Sequence, residues 1–306
     1  LWPRIAIVAA VSIIIFSIGL LYVLNQQTKP KNPTAHVNDV APGKEGATLT
    51  LANGKKILIN DALSGNIANQ SGVKISKTKD GQIIYEVLDQ KSDGIHYNTL
   101  TTTRGEQISV RLPDGTLVFL NAATTLKYPT SFAKMNKREV SITGEGYFEV
   151  FKDKTHPFIV TTTNQQIEVL GTHFNVNAYT DEPSVKTTLL EGSVKINSNS
   201  HSEILQPNQQ STLTGNKITI KEVDTEEIVA WKNNEFLFKD DDFKTNMRKI
   251  ARWYNVDVIY EDDAPNSFKL GGFSSRSRSL ATILKRMEQT GKVHFRIEGK
   301  KVYVSK

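Results

Sequence analysis

The run Ile108-Ser109-Val110-Arg111-Leu112-Pro113-Asp114-Gly115-Thr116-Leu117-Val118-Phe119-Leu120 decides how the fold is read. Apolar residues alternate on either side of Asp114-Gly115, which predicts two half-buried strands joined by a hairpin with a type I′ turn. The same unit stands earlier as Leu49-Thr50-Leu51, Asn53-Gly54 and Ile57-Leu58-Ile59. The two copies align without a gap: Glu45 with Glu106, Leu51 with Leu112, Gly54 with Gly115 and Asn60 with Asn121, each 61 positions apart. Two copies are too few for a stacked array. They predict two related layers of one β-structure.

Further strand signals follow at Glu139–Thr143, Gly146–Phe151, Phe158–Thr162, Gln166–Leu170, His173–Tyr179, Val185–Leu190, Ser193–Asn197, Gln209–Leu213 and Lys217–Glu222. Their connections are short and rich in Gly, Pro, Asn and Asp, so residues 41–225 are expected to form a mainly β sandwich, barrel or solenoid. Composition agrees. The 306 residues are 38% hydrophobic and 23% charged, a globular balance. They contain no cysteine, which excludes disulfide scaffolds, thiol catalysis and Cys-ligated metals. The net charge of +6 and the pI of 9.2 are mild and thinly spread, short of a nucleic-acid footprint.

The pattern changes near Trp231. Glu235–Lys239 reads as a strand, and Asp240-Asp241-Asp242 as an N-cap with an acidic first turn. Phe243, Met247, Ile250, Ala251 and Tyr254 fall on one helical face, and Asn255 ends the helix. Val256–Tyr260 and Phe268–Phe273 read as strands. Ser279 then caps a second helix with the stripe Leu280, Ile283, Leu284 and Met287, and Gly291 closes it. Val293–Ile297 and Lys301–Val304 complete a βαβ–βαββ order, so residues 231–306 are expected to be a small α+β domain.

At the other end, Ile5 to Leu24 (IAIVAAVSIIIFSIGLLYVL) carries no charge. At ~1.5 Å per residue it spans roughly 30 Å, a bilayer core, so residues 1–25 are expected to be a transmembrane helix. A signal peptide has a shorter apolar run and a small-residue cleavage site, which Leu24-Asn25-Gln26-Gln27 does not offer. Residues 26–40 are polar with prolines, a linker. Arg4 against Lys29 and Lys31 leaves orientation open, and Leu1 is not an initiator Met, so upstream residues are expected.

No catalytic constellation is visible. His36, His96, His156, His173, His201 and His294 are scattered without ligand spacing. Glu145 and Glu149 share a strand face and imitate an acid/base pair, but solvated face residues are the plainer reading. Asp240–Asp242 is explained by capping rather than a cation. Arg276, Arg278, Lys285 and Arg286 form a basic cluster that reads as a solvated helix face or a surface for an acidic partner, with no direct nucleic-acid contact. Neither a nucleophile elbow nor a phosphate loop is present. No enzyme, cofactor or metal is expected.

The middle region carries four runs in order: Gly144-Glu145-Gly146-Tyr147-Phe148-Glu149-Val150, Val169-Leu170-Gly171-Thr172-His173-Phe174-Asn175-Val176, Leu189-Leu190-Glu191-Gly192-Ser193-Val194 and Leu205-Gln206-Pro207-Asn208-Gln209-Gln210. They resemble the FecR family of anti-sigma factors in its Bacteroidetes form. Arg252-Trp253-Tyr254-Asn255-Val256, with the βαβ–βαββ order, resembles the accompanying C-terminal domain, which is similar to the short secretin/TonB N-terminal module. The family usually has Gly where Asn208 and Asn234 stand, and both are expected at positive φ.

The resemblance implies an inner-membrane, single-pass protein with a periplasmic C-terminal region. Its implied partners are the signalling domain of an outer-membrane TonB-dependent receptor, an extracytoplasmic-function sigma factor held by a cytoplasmic segment upstream of this sequence, and site-specific proteases. If Phe268-Lys269-Leu270 or Val302-Tyr303-Val304 is a sheet edge, the receptor domain docks by strand addition, which makes Phe268, Leu270, Val302, Tyr303 and Val304 the candidate interface. The competing reading is a membrane-anchored periplasmic β-protein that grips glycan or envelope components. A glycoside hydrolase needs two facing carboxylates, one of them Glu145 or Glu149.

Overall fold

The computed structural model describes residues 39–60, 65–70, 73–78, 82–87, 95–198, 201–239, 241–266 and 268–306. The expected membrane span and most of the linker lie outside these residues. Among the described residues no helix is long and apolar enough to cross a membrane.

Two sheets face each other across one core. In the first, hydrogen-bonded neighbours run 56–59, 47–50, 97–102, 124–129, 138–143, 158–161, 166–169, 194–198 and 201–205. In the second they run 65–70, 73–77, 83–87, 106–111, 117–120, 144–149, 173–178, 185–191, 209–214 and 217–222. Pairing is antiparallel except at 138–141 with 158–161, at 83–84 with 110–111 and at 44–45 with 106–107. Among the described residues neither sheet closes on itself, and the architecture is a sandwich rather than a barrel. Inward residues of both layers, such as Leu49, Leu100, Leu126 and Val160 from one and Val110, Leu120, Phe148 and Phe174 from the other, form one apolar cluster. Phe148 lies flat on Phe174 with centroids 5.1 Å apart.

The two copies of the hairpin unit lie in different layers, 47–59 in the first sheet and 106–120 in the second. Their turns differ from expectation. The Gly54 N–H donates to Leu51 O and the Leu51 N–H to Lys55 O, and Gly115 and Leu112 repeat both bonds. Only the glycines have positive φ, +82° and +90°. Each loop is therefore a type I turn closed by a glycine bulge, not a type I′ turn. Pro113 fits the observed turn, since its ring holds φ negative at the first central position of Leu112–Gly115, where a type I turn favours proline.

Arg138–Glu149 is a single strand where the alternation suggested two. Residues up to Thr143 pair within the first sheet, and those from Gly144 pair within the second. Gly144 makes the corner at φ +104°, where a Cβ would stand 2.4 Å from the Thr124 hydroxyl. Strands at 65–70, 73–77, 83–87, 97–102, 124–129 and 201–205 lacked a clear sequence signal.

After the sandwich come the short helix α1 (Thr225–Val229) and a 3-10 turn at Ala230–Asn233. Helix α2 (Phe243–Tyr254) buries the expected face, is capped by Asp242 donating no group but accepting the Thr245 N–H at 3.0 Å, and ends at Asn255 with φ 51°. Helix α3 (Leu280–Glu288) buries Leu280, Ile283, Leu284 and Met287. Its C-cap is Gln289, with Gly291 two residues beyond at φ 68°. The expected strand at Phe268–Phe273 is shifted to Gly272–Ser275, which pairs with Glu235–Phe238. The other three strands form a sheet in the order 257–260, 301–305, 294–298. Both helices and these strands enclose a second apolar cluster. Asn208 and Asn234 have φ of 68° and 61°, as the glycine replacements require.

Candidate functional site: the joint between the sandwich and the C-terminal module

The residues expected to dock a partner are mostly interior. Lys301–Ser305 is the middle strand of its sheet, paired in parallel with 257–260 and antiparallel with 294–298. Val302 and Val304 are fully buried, and Tyr303 sits under Arg296 at 4.1 Å. Leu270 is buried in the module's core, and Phe268 stacks on Phe243 with centroids 4.6 Å apart. Strand addition at 302–304 therefore has no open edge to use, and 268–270 lies in no strand, tied to Asp242 by an isolated bridge at Lys269. Among the described residues the edges of that sheet are Asp257–Tyr260 and His294–Glu298, each paired on one side only.

The polar chemistry gathers elsewhere, where α2 and the 272–278 segment meet the sandwich. The side of α2 opposite its apolar stripe carries Arg248, Lys249 and Arg252, and it faces protein rather than water. Glu182 accepts from Arg248 Nε at 3.0 Å and Nη2 at 2.6 Å, and from Arg252 Nη2 at 2.8 Å. Arg252 Nη2 also donates to Asp181 at 2.7 Å, and its guanidinium lies 3.8 Å over the Tyr179 ring. Hydrogen bonding to Glu182 holds the Arg248 pKa above its ordinary value. Asp241 receives Lys249 at 2.7 Å and Lys186 at 3.5 Å. Burial alone would raise the Asp241 pKa; the two ammonium groups outweigh it and hold the carboxyl below its usual range.

Arg276 was expected on a solvated face and is instead 2% exposed. It enters between Trp253, at 3.8 Å, and the Phe236 ring. Its donors go to neutral oxygens: Gln107 Oε1 at 3.1 Å, Asn121 Oδ1 at 3.0 Å and the Trp231 carbonyl at 2.8 Å. Burial without a bonded carboxylate pushes its pKa down to about 10. Arg278, Lys285 and Arg286 remain exposed. From the sandwich side, Arg104 reaches Asp257 at 2.7 Å and donates to the carbonyls of Ala251 and Val256 at the end of α2.

Glu145 is buried too, against the solvated reading. Its oxygens accept the amides of Asn121 at 2.8 Å and Asn175 at 3.0 Å, and Trp231 Nε1 donates to Asn175 Oδ1 at 3.3 Å. Glu149 pairs with Lys232 at 3.3 Å, so each carboxylate is held by its own donors. A cavity of about 110 Å³ opens here, with Glu145, Lys186, Gln210, Glu227, Trp231 and Lys249 among its walls. Acids and bases interleave along it: Lys186 and Lys249 are bonded to Asp241, Glu145 to the amides of Asn121 and Asn175, and Glu227 to the Lys239 N–H. The arrangement suits holding two bodies together more than turning over a substrate. Among the described residues no group of three His, Asp or Glu side chains is placed to bind a metal ion. His156 pairs with Asp153, and His173 with Glu191.

Sequence reasoning missed this joint because its residues look like surface. A signal was available in α2, whose polar face ends in the bulky pair Arg252-Trp253.

No curated protein matches the chain. Two crystal structures of a candidate anti-sigma factor from Parabacteroides distasonis ATCC 8503, at 1.65 Å and 2.50 Å resolution, superpose with TM-scores of 0.64 at 28% identity. They cover 68% and 69% of this chain and 98% and 99% of their own. Family models match as FecR protein over residues 98–195 and as FecR, C-terminal, over 235–304. The sandwich corner at Gly144 and the joint's Arg104, Glu182, Arg248, Arg252 and Arg276 lie within these matches, and the chain belongs to the FecR family of anti-sigma factors.

Proposed function

We propose that the chain is a single-pass inner-membrane signal transducer. Its periplasmic region receives a signal from the signalling domain of an outer-membrane TonB-dependent receptor. The relay releases an extracytoplasmic-function sigma factor on the cytoplasmic side, with site-specific proteolysis near the membrane as the releasing step. The observation that carries this reading is the order of parts: an uncharged stretch at Ile5–Leu24, then the FecR region, then the FecR C-terminal module. Membership of an anti-sigma family supports the sigma-factor end. The receptor end rests on the edge strand His294–Glu298, paired on one side only among the described residues; its Phe295 N–H already donates to Glu288 Oε1 at 2.8 Å, a bond that an added strand would displace.

The test is a pull-down of a TonB-dependent receptor's signalling domain by the full chain from detergent-solubilised membranes. Capture is expected, with loss in Arg296→Glu, which reverses an exposed charge on the edge strand. Unchanged capture by Arg296→Glu removes this edge from the reading. Recovery of the wild-type chain in the soluble fraction, with no capture, overturns the relay. Of the two glutamates weighed for hydrolysis, Glu145 lines the cavity with both oxygens taken by the amides of Asn121 and Asn175, and Glu149 is paired with Lys232.

A further inference from the structure

The first residues of the compact unit, Val40–Gly46, run through the joint itself. The Val40 carbonyl accepts the Leu280 N–H at the start of α3, at 3.0 Å, and its side chain packs against the C-terminal module's core. Gly43 is wedged between the two halves: a Cβ there would stand 2.7 Å from the Trp253 ring and 2.8 Å from the Gly105 carbonyl. Lys44–Glu45 then pairs in parallel with Glu106–Gln107 of the sandwich. The Lys44 N–H donates to Gly105 O at 2.9 Å and the Gly46 N–H to Gln107 O at 3.0 Å. Gly105 closes the circuit, since its own N–H donates to the Arg252 carbonyl of α2 at 2.8 Å. Behind Trp253 stands Arg276, whose carbonyl accepts the indole N–H at 2.9 Å.

The geometry points to Val40–Gly46 as a strap that stays in place only while the sandwich and the C-terminal module are docked. One end is held by the module and the other by the sandwich, and its middle fits a slot made by both. Opening the joint removes the Trp253 wall and the Leu280 donor together. A partner that draws the module away thereby presents Val40–Gly46 as an extended segment with free backbone groups. Proteases cut such a segment in proportion to its open population. Coupling of this kind is reciprocal, so displacing the strap must also loosen the joint. Only the consequence for signalling rests on the relay reading. The coupling is a property of this chain alone.

The test is hydrogen exchange of the full chain in detergent micelles, read at the amides of Lys44 (strap) and Gly105 (joint). Gly43→Val is expected to raise exchange at both by at least about tenfold, with Val140 and Phe174 in the sandwich at wild-type rates. Glu182→Ala, which touches no strap residue and removes the acceptor shared by Arg248 and Arg252, is expected to raise both together as well. Acceleration of either amide without the other, in either variant, overturns the coupling. Unchanged protection of Lys44 in Gly43→Val overturns the fit of the strap. Gly43→Ala gives the same readout where the valine variant does not fold.

Discussion

The interior of the sandwich and the joint beside it are built from opposite materials. The first is a continuous apolar cluster drawn from two sheets, with Phe148, Phe158 and Phe174 in close ring contact at its centre. The second is made of guanidinium groups, carboxylates and amides: Arg104, Arg248, Arg252 and Arg276 against Asp257, Glu182, Asp181, Asn121 and Gln107. Apolar burial is non-directional and stabilises by area, so such a core holds its shape under many small displacements. Charge-assisted hydrogen bonds depend steeply on geometry, and water competes for them once a gap opens. A core of the first kind resists parting. A joint of the second kind can part and close again without either half unfolding.

The comparison breaks most sharply in the core. Phe148→Ala is expected to cost about 3–5 kcal/mol, because the ring is fully buried and stacked and its cavity cannot refill. A urea midpoint lowered with an unchanged slope checks this. In the joint, Arg276→Ala is expected to cost about 2–3 kcal/mol by stranding the acceptors of Gln107, Asn121 and Trp231. Arg276→Met should recover part of that loss, since an apolar isostere of a buried charge removes its desolvation cost. No polar replacement of Phe148 should do the same. Thermal melts of the three variants make the contrast measurable.

A smaller effect appears with pH. The Asp241 carboxyl is held below its usual range by Lys249 and Lys186. Its contribution is complete above the unfolded-state value of ~3.9 and is lost as the pH falls through the depressed native value. Asp241→Asn is therefore expected to lower stability near neutrality by about 1 kcal/mol and to flatten the fall in stability below about pH 4, as followed by denaturation at stepped pH. Smallest of all is the exposed pair Lys74–Glu86 at 3.0 Å, where Lys74→Gln should change stability by less than about 0.5 kcal/mol.

The same division explains what the sequence disclosed. Alternation around Asp114-Gly115 and Asn53-Gly54 located both hairpins, and the stripe from Phe243 to Tyr254 located α2, because each pattern is local and repeats with the period of its element. The turn type differs from the type I′ expectation, and the signal for it was Pro113, two residues before Gly115. The sheet change at Gly144 was hidden because the pairing partners on its two sides, Thr125 and Ala178, are far apart in the chain. Arg276, in Ser275-Arg276-Ser277-Arg278, has neighbours that all read as surface, and it is buried by groups distant in sequence: Gln107, Asn121, the Trp231 carbonyl and the Trp253 ring. Whether Val302–Val304 is an edge or a centre cannot be read from its own alternation. Its parallel partner at 257–260, reached across α3, makes it central.

Native-state hydrogen exchange across a series of low urea concentrations tests the central claim most directly. The account predicts that Lys44, Gly46 and Gly105 exchange as one group, through an opening that costs far less than global unfolding, while Val140, Phe148 and Phe174 exchange only with the whole sandwich. Exchange of all six amides at the single free energy of global unfolding would contradict it, and would make the joint one more part of the core.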